Sequence, residues 1–395
     1  MMVKTRAKKK GTSMNKGSNK LIRNMNTTLV LQTIMQEEHI SRADLSKKLK
    51  LSKATVSSIA EQLISQDLIR EKGKSDSDTA GRRAILLEFR PESGYVLSLD
   101  VRLHSIPAMI TDLAGNPVKT ITIPNHADET QIIPLLRSLI EKMIPLVPPS
   151  PHGIIGISLA IHGVVDSGVV LFAPYYPYKN VDFVQALEQH FQIPVYVENE
   201  ANLAVLGEHA AAPAYQNLAS LSIHSGVGLG LLINNQLFKG AQGYAGEFGH
   251  TTIEIGGRPC PCGNRGCLEQ YLSEDVLLKE YAELKQQEEI TLPALIQAYQ
   301  NGEDEAREII RYFLQYTAVS IHNIQRFANP EAIILNSRIT AALPETCSPL
   351  SDLLPEGIGG RCPILYSSLQ DEAALLGGAV LCIREFAGID IQFHK

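Results

Sequence analysis

Four residues able to bind a metal ion stand close together in the second half of the chain. His250 is followed by Cys260, Cys262 and Cys267 in the run CPCGNRGC, whose glycines permit tight turns. One imidazole and three thiolates suit tetrahedral Zn²⁺, and four protein ligands leave no coordination position open for water. We therefore expect a structural zinc site, with a group of reduced, unligated cysteines as the alternative.

The other cysteines and the uncharged segments indicate the compartment. Cys347, Cys362 and Cys382 stand alone, and we expect them to be ordinary buried residues. Six cysteines in 395 residues make no disulfide framework, and clustered thiols indicate a reducing environment. No apolar segment follows the Lys-rich N-terminus, and amides and serines interrupt the uncharged stretch 209–238. We therefore predict no secretory signal, no membrane association and a cytoplasmic location.

A second set of candidate functional residues lies near the N-terminus and is small, polar or basic. Apolar spacing predicts a helix from Leu21 to about Gln36, and Ser41 and Ser52 are placed to cap two further helices. The third helix follows a tight turn, as in modules that read the DNA major groove, and small side chains let such a helix approach base edges. Its expected DNA contacts are Ser52, Lys53, Ala54, Thr55, Ser57 and Ser58.

A two-stranded wing is predicted after the third helix. Arg82 and Arg83 lie at its polar tip, where they suit phosphate or minor-groove contacts. Residues 1–90 carry a net charge of +10 and the remainder −16, within a total of −6. This asymmetry indicates that the first part alone meets a polyanion. The alternatives are a merely soluble basic tail and a three-helix bundle used for protein contacts.

Strands alternate with helices beyond Phe89, which predicts a layered α/β fold. The runs YVLSLDV and MITDLAG predict a hairpin, GIIGISLAI and IPVYVEN predict buried strands, and ANLAVLGEHAA predicts a helix.

The motifs as a set resemble one family. The run GEFGH, which ends at His250, and the following CPCGNRGCLE resemble the signature of the ROK family, named for repressors, open reading frames and kinases. The resemblance extends over nearly the whole chain from about Leu21. Together with the N-terminal module, the segments GRRAILLEF and ENEANLAVLGE are similar to the xylose repressor branch, which is related to N-acetylglucosamine- and glucose-responsive repressors.

The resemblance implies a domain plan. It implies an actin-like (ribonuclease H-like) pair of α/β lobes, with a sugar cleft between them. We expect a disordered basic tail over residues 1–20, a winged helix-turn-helix DNA-binding domain over 21–90, a small lobe over 91–197 plus 377–395, and a large lobe with the zinc site over 198–376.

The resemblance also implies a sugar site. Its residues are Asn199, Glu200, Glu247, His250 and Glu269. Carboxylates and an amide suit vicinal sugar hydroxyls, although each of these residues could instead be structural. His250 could serve both the metal and the sugar, which would tie the metal to the geometry of the pocket. Glu198 and Glu208 are expected on a strand end or a solvated helix face.

Kinase activity is the main alternative within the family. Family kinases use an Asp in an ENDA motif to deprotonate the sugar, and Gly-rich turns to hold the ATP phosphates; here Glu200 replaces that Asp. Asp100-Val101-Arg102 replaces an Asp-x-Gly turn, and Asn336-Ser337-Arg338 replaces glycines on the adenosine side, whereas HSGVGLG keeps its glycines. We therefore expect no enzyme activity.

The pocket loops depart from the xylose repressor pattern as well. His162 replaces a proline, and Tyr175 and Tyr178 occupy places that usually carry an Asn and a Trp. These tyrosines could pack against a sugar, or they could be core or interface aromatics.

The resulting hypothesis is a homodimeric repressor, or a dimer of dimers, bound to palindromic operator DNA and released by a sugar such as xylose. Activation instead of repression, a sugar kinase with a DNA-binding arm, and a protein that docks a sugar transporter component are the alternatives.

Overall fold

The chain divides into two units, Met1–Ser93 with Ala387–Asp390, and Gly94–Phe386 with Ile391–Lys395. The computed structural model describes residues 14–74, 84–178, 181–347, 350, 353 and 362–393. Among these residues, no helix is both long and apolar enough to cross a membrane.

The first unit is a winged helix-turn-helix, as the sequence predicts. Its elements are α1 (Met14–Gln36), β1 (Ile40–Ser41), α2 (Arg42–Leu49), α3 (Lys53–Ser65), β2 (Ile69–Lys74) and β3 (Ile85–Phe89). The strands pair antiparallel in the order β1-β3-β2, so β2 and β3 form the predicted wing.

Side-chain caps fix where the second and third helices begin. The Ser41 hydroxyl accepts a hydrogen bond from the Asp44 amide at 3.1 Å and donates one to the Asp44 carboxylate at 2.6 Å. The Ser52 hydroxyl accepts from the Thr55 amide at 3.0 Å. Each cap satisfies a backbone N–H that has no partner within its helix, and such a cap is worth about 1 kcal/mol.

The first helix begins at Met14, seven residues before the predicted start. Residues 14–20 are mostly polar, which predicts a disordered tail, but they contain no proline that would stop a helix from extending. The rest of the predicted tail, 1–13, lies outside the described residues.

The second unit is built on two mixed sheets. Its strands are β4 (Tyr95–Val101), β5 (Ser105–Asp112), β6 (Pro117–Pro124), β7 (Ile154–Ile161), β8 (Val164–Asp166), β9 (Val169–Phe172), β10 (Val195–Asn199), β11 (Leu218–Ile223), β12 (Val227–Ile233), β13 (Gln236–Leu237), β14 (Ala332–Ser337) and β15 (Ile364–Tyr366). Among the described residues, one sheet has the order β10-β7-β4-β5-β6, the other has the order β13-β12-β11-β14-β15, and β8 and β9 form a separate hairpin.

Helices cover both sheets. They are α4 (Ile132–Met143), α5 (Phe183–Phe191), α6 (Glu200–Ala211), α7 (Glu269–Leu272), α8 (Glu274–Lys285), α9 (Leu292–Asn301), α10 (Asp304–Phe327), α11 (Arg338–Ala342), α12 (Pro344–Cys347) and α13 (Ala373–Ala387). The first sheet packs on α4 and α5, and the second packs on α8, α9 and α10, each with its own apolar core. This is the layered two-lobed fold that the sequence predicts.

Helices α6 and α13 lie between the two sheets and cross at glycines. A Cβ at Gly377 would lie 1.7 Å from the Leu203 carbonyl oxygen, and one at Gly207 would lie 2.3 Å from the Ala373 carbonyl oxygen. On either side, Gly230 of β12 approaches Ala201, and Gly378 approaches Ser158 of β7. Backbone therefore packs on backbone through the centre of this unit, and only glycine permits that distance.

Glu208 is buried on α6, so its predicted place on a solvated helix face is wrong. All but one residue of the stretch 201–210 is buried, because α6 is covered on both sides. The Glu208 carboxylate accepts a hydrogen bond from the Ser367 hydroxyl. Glu198, by contrast, ends β10 as predicted; it is buried and forms an ion pair with Lys239 at 2.8 Å.

Burial raises the pKa of Glu208 from 4.5 to about 7, and the Ser367 hydrogen bond offsets this only in part. Between those values the folded chain holds a proton that the unfolded chain has released, so this group lowers stability as the pH rises from 4.5 to about 7.

We expect Glu208→Gln to raise the melting temperature of the full chain by several degrees at pH 8, because it removes a buried charge that costs about 3 kcal/mol. At pH 4.5 the variant and the wild type should melt together. Thermal melts across this pH range measure the difference, and Glu385→Gln on the exposed side of α13 is the matched control. A constant difference at every pH would contradict the assignment.

Candidate functional site

The second unit contains a cavity of ≈ 240 Å³ between its two sheets. One wall comes from His162 after β7 and from the loop 173–178. The opposite wall comes from the turn between β11 and β12, from 246–250, and from 269–276, while the start of α6 forms the floor. All five residues of the predicted sugar site line this cavity, so residues far apart in the chain are brought together: Asn199, Glu200, Glu247, His250 and Glu269.

Asn199 and Glu200 are placed by the step from β10 into α6. Asn199 is the N-cap: its side-chain oxygen accepts from the Asn202 amide at 3.1 Å, and its side-chain nitrogen donates to the Gly163 carbonyl at 2.8 Å. Its amide group is therefore engaged with the protein at both ends. Glu200 is the first helical residue and faces the cavity; burial raises its pKa, and the charge of His162 acts in the opposite direction.

Glu247 and Glu269 stand on the opposite wall and repel one another. Burial and then the charge of Glu269 raise the pKa of Glu247 to about 7. Glu269 begins α7 and is buried, and one of its oxygens accepts from the Tyr175 hydroxyl. A Cβ at Gly226 would lie 3.0 Å from the other oxygen, so a glycine in the turn leaves room for that carboxylate.

An ion-pair network lies beside Glu200. Asp100 bonds His162 at 2.8 Å and Arg102 at 2.6 Å. Burial alone would raise the pKa of Asp100, but these two partners lower it to about 2. Arg102 also donates to the Asp371 backbone carbonyl at 2.9 Å. The arginine that replaces a glycine in the kinase pattern is thus folded back onto protein groups.

A second arginine is held in the same way. Arg338, which replaces an adenosine-side glycine of the kinase pattern, forms an ion pair with the buried carboxylate of Glu274. His224 lies nearby, and its burial lowers its pKa to about 4.

The metal-ligand candidates form one group. Single ligand atoms of His250, Cys260, Cys262 and Cys267 all lie within 4.8 Å of one another. The sulfurs of Cys262 and Cys267 are 3.7 Å apart, and the Cys260 sulfur is 3.5 Å from Nδ1 of His250. Thiolates 2.3 Å from a tetrahedral ion would be separated by about 3.8 Å, so the donor set and its spacing fit a metal ion.

The backbone of the cysteine loop explains why these atoms converge. Gly266 has φ +76°, and a Cβ there would lie 1.7 Å from the Glu254 carbonyl oxygen. His250 turns Nδ1 toward the cysteines, whereas its Nε2 lies 3.8 Å from a Glu247 oxygen, so one imidazole belongs to both the metal group and the cavity.

The two tyrosines that the sequence left ambiguous have different environments. Tyr178 is buried in the core of the first sheet, where its hydroxyl accepts a hydrogen bond from the Asn125 side chain at 3.2 Å. Tyr175 is 40% exposed and lines the cavity. Sequence reasoning missed Tyr176, whose ring stacks on His162, and Gln270, which donates to the Tyr175 hydroxyl at 3.0 Å. Their adjacency to Tyr175 and Glu269 was the available signal.

Of the other three cysteines, the side chain of Cys347 lies outside the described residues. Cys382 is buried, as expected, whereas Cys362 is half-buried and receives a hydrogen bond from Gln325.

The predicted DNA-contacting residues occupy the start of α3. Val56, Ile59, Ala60 and Leu63 bury the inner face of this helix. Ser52, Lys53, Ala54 and Ser58 are exposed, and Thr55 and Ser57 are half-exposed. The Ser52 and Thr55 hydroxyls bond each other at 2.8 Å, so both take part in the cap. Arg82 and Arg83 lie outside the described residues.

Family models match both units. Residues 96–385 match the ROK family, and residues 26–70 match a winged helix-turn-helix DNA-binding model.

Known proteins resemble the chain over most of its length. A xylose repressor of Bacillus spizizenii is 33% identical, over 93% of this chain and 97% of the relative. The crystal structure of a ROK family transcriptional regulator, a homologue of the E. coli MLC protein, is 25% identical with a TM-score of 0.79, over 93% of this chain and 96% of that one. A ROK glucokinase from Streptomyces griseus, solved with glucose and AMPPNP, is 23% identical with a TM-score of 0.66 and covers 73% of this chain, which shows a shared fold.

Proposed function

The chain belongs to the ROK family, and on that premise we propose that it is a transcriptional repressor that binds operator DNA and is released by a sugar. One observation carries the proposal: a single chain combines a winged helix-turn-helix with a cavity lined by Glu200, Glu247 and Glu269. The xylose repressor that matches it over nearly its whole length supports the same conclusion.

A sugar is the ligand class that the cavity favours. Carboxylate oxygens accept hydrogen bonds from hydroxyl groups, and half-buried carboxylates with raised pKa values can also donate when protonated. At ≈ 240 Å³ the cavity lies below the range for drug-sized ligands, which favours a single monosaccharide. In this proposal Asn199 caps α6 and thereby positions the start of that helix. The residues that contact the sugar are Glu200, Glu247, His250 and Glu269.

DNA is the partner that the first unit favours. The exposed start of α3 carries small side chains and Lys53, which suits entry into a major groove. A homodimer on a palindromic operator follows from the two half-sites that such modules read, and we include it in the proposal. Sugar binding would favour a conformation of the ligand unit with lower operator affinity.

Kinase chemistry is disfavoured by the pairing of the two arginines that replace glycines of the kinase pattern. A phosphate cradle needs backbone N–H groups or free cations that face the phosphates. Arg102 is instead bound to Asp100 and Asp371, and Arg338 is bound to Glu274. We propose a regulator without phosphotransfer activity.

A gel-shift titration of the upstream region with a panel of monosaccharides tests the function. We expect one sugar to weaken operator binding by the full-length protein, and no transfer of phosphate from ATP to that sugar. If no sugar changes operator affinity, the sensor is refuted, and if phosphate transfer occurs, the protein is an enzyme.

Ser58→Glu should weaken operator binding at least about tenfold, because it places a negative charge on the groove-facing side of α3 against the DNA phosphates. Ser65→Glu at the far end of the same helix is the matched control and should bind normally. Equal binding by both variants, measured by fluorescence anisotropy at fixed salt, would show that α3 does not enter the groove.

We propose that Zn²⁺ occupies the metal group and staples the loop that carries His250 and Glu269. Elemental analysis should find about one zinc per chain, and Cys262→Ser should lose the metal and lower the melting temperature. Cys362→Ser, a half-buried cysteine outside the group, is the control and should keep both. Full zinc content in the Cys262 variant would contradict this ligand set.

A further inference from the structure

Tyr175 joins the two walls of the cavity. It belongs to the loop 173–178, which follows β9 and packs with the core of the first sheet. Its hydroxyl donates to one oxygen of Glu269 and accepts from the Gln270 side chain at 3.0 Å. Glu269 and Gln270 open α7, whose Leu272 belongs to the core of the second sheet. One hydroxyl therefore connects the two halves of the site.

The hydrogen bond from Tyr175 gives the two oxygens of the Glu269 carboxylate different environments. One oxygen is taken by the tyrosine, and the other faces the turn at Gly226, which lines the cavity. A carboxylate on a mobile side chain must lose rotational freedom when it binds a ligand. Here Tyr175 has already fixed it, so the free oxygen stands ready to accept from one hydroxyl group.

The same hydrogen bonds reach the metal group. Gln270 donates to the Tyr175 hydroxyl and also lies 3.8 Å from the Cys260 sulfur. The hydrogen bonds of Tyr175 therefore extend, through Gln270, to one residue of the metal group.

We propose that Tyr175 is a positioning residue that orients Glu269 toward a single sugar hydroxyl and thereby determines which monosaccharide the protein binds. This inference rests on the proposed sugar-sensing function. The sequence left Tyr175 either as a sugar contact or as a core aromatic, and this inference gives it a role. The group that discriminates between sugars is the hydroxyl that donates to the free oxygen of Glu269.

Tyr175→Phe removes the hydroxyl and keeps the ring, so it isolates the hydrogen bond. We expect the dissociation constant of the sugar identified by the gel-shift panel to rise about tenfold, measured by calorimetry on the full-length protein. Zinc content and operator affinity without sugar should stay at wild-type values, which a general loss of structure would not allow.

Tyr178→Phe is the matched control, since Tyr178 lies in the same loop but bonds Asn125 in the core. It should bind the sugar as the wild type does. A fall in affinity of equal size in both variants would overturn the proposal, because it would reflect a loosened loop.

A double-mutant cycle with Glu269→Gln separates positioning from direct contact. If Tyr175 acts through Glu269, adding Tyr175→Phe to Glu269→Gln should cost less than twofold in affinity. Additive losses would overturn the positioning role.

Monodeoxy analogues of the same sugar provide the readout of specificity. Removal of one hydroxyl should lower the affinity of the wild type more than removal of any other. In Tyr175→Phe that loss of affinity should be smaller, while the losses for the other analogues stay unchanged. An unchanged order and size of preferences would refute the role in specificity while leaving the proposed function intact, whereas a wild-type protein that binds no sugar would refute the proposed function itself.

Discussion

The close crossing of α6 and α13 is the constraint on which the second unit depends. Two helices separate the sheets, and at Gly207 and Gly377 they meet through backbone atoms, with no side chain between them. Protein interiors are packed to near crystalline density, so a displacement at such a contact is passed on to the neighbouring residues. The start of α6, with Asn199 and Glu200, is therefore positioned by contacts about one turn away at Leu203 and about two turns away at Gly207. The crossing of α6 and α13 thus fixes the position of the cavity floor.

Charge around the cavity follows a simple arrangement. The cations near it are held by carboxylates of the protein: Arg102 by Asp100 and Asp371, Arg338 by Glu274, and Lys239 by Glu198. The carboxylates Glu200 and Glu247 face the cavity, and burial raises the pKa values of both. Half-buried carboxylates and paired cations together make a site rich in hydrogen-bond acceptors, which suits hydroxyl-rich ligands better than phosphates.

Much of this could be predicted from local patterns. Ser41 and Ser52 predict where α2 and α3 begin, because a helix cap involves only a few consecutive residues. The cysteine loop could be recognised from its spacing, since thiolates that bind one ion must lie within a few ångströms of one another. Glu208 could not be placed, because its burial comes from α13 and from Ser367, more than 150 residues away in the chain. Tyr175 and Tyr178 are the same residue type and lie three positions apart in one loop. Only tertiary packing places Tyr175 at the cavity and Tyr178 in the core. The start of α1 at Met14 was missed because polar residues carry no periodic signal.

The imidazole of His250 has a consequence for how the protein responds to its surroundings. Its two nitrogens face different groups, Nδ1 toward the Cys260 sulfur and Nε2 toward Glu247 in the cavity. Whatever occupies one side changes the electron density and orientation available to the other. By thermodynamic reciprocity, a cavity ligand that stabilised this ring orientation would raise the affinity for a metal ion at Nδ1, and the ion would raise the affinity for the ligand by the same factor. Removal of that ion would then weaken ligand binding at a site that the ion does not itself touch.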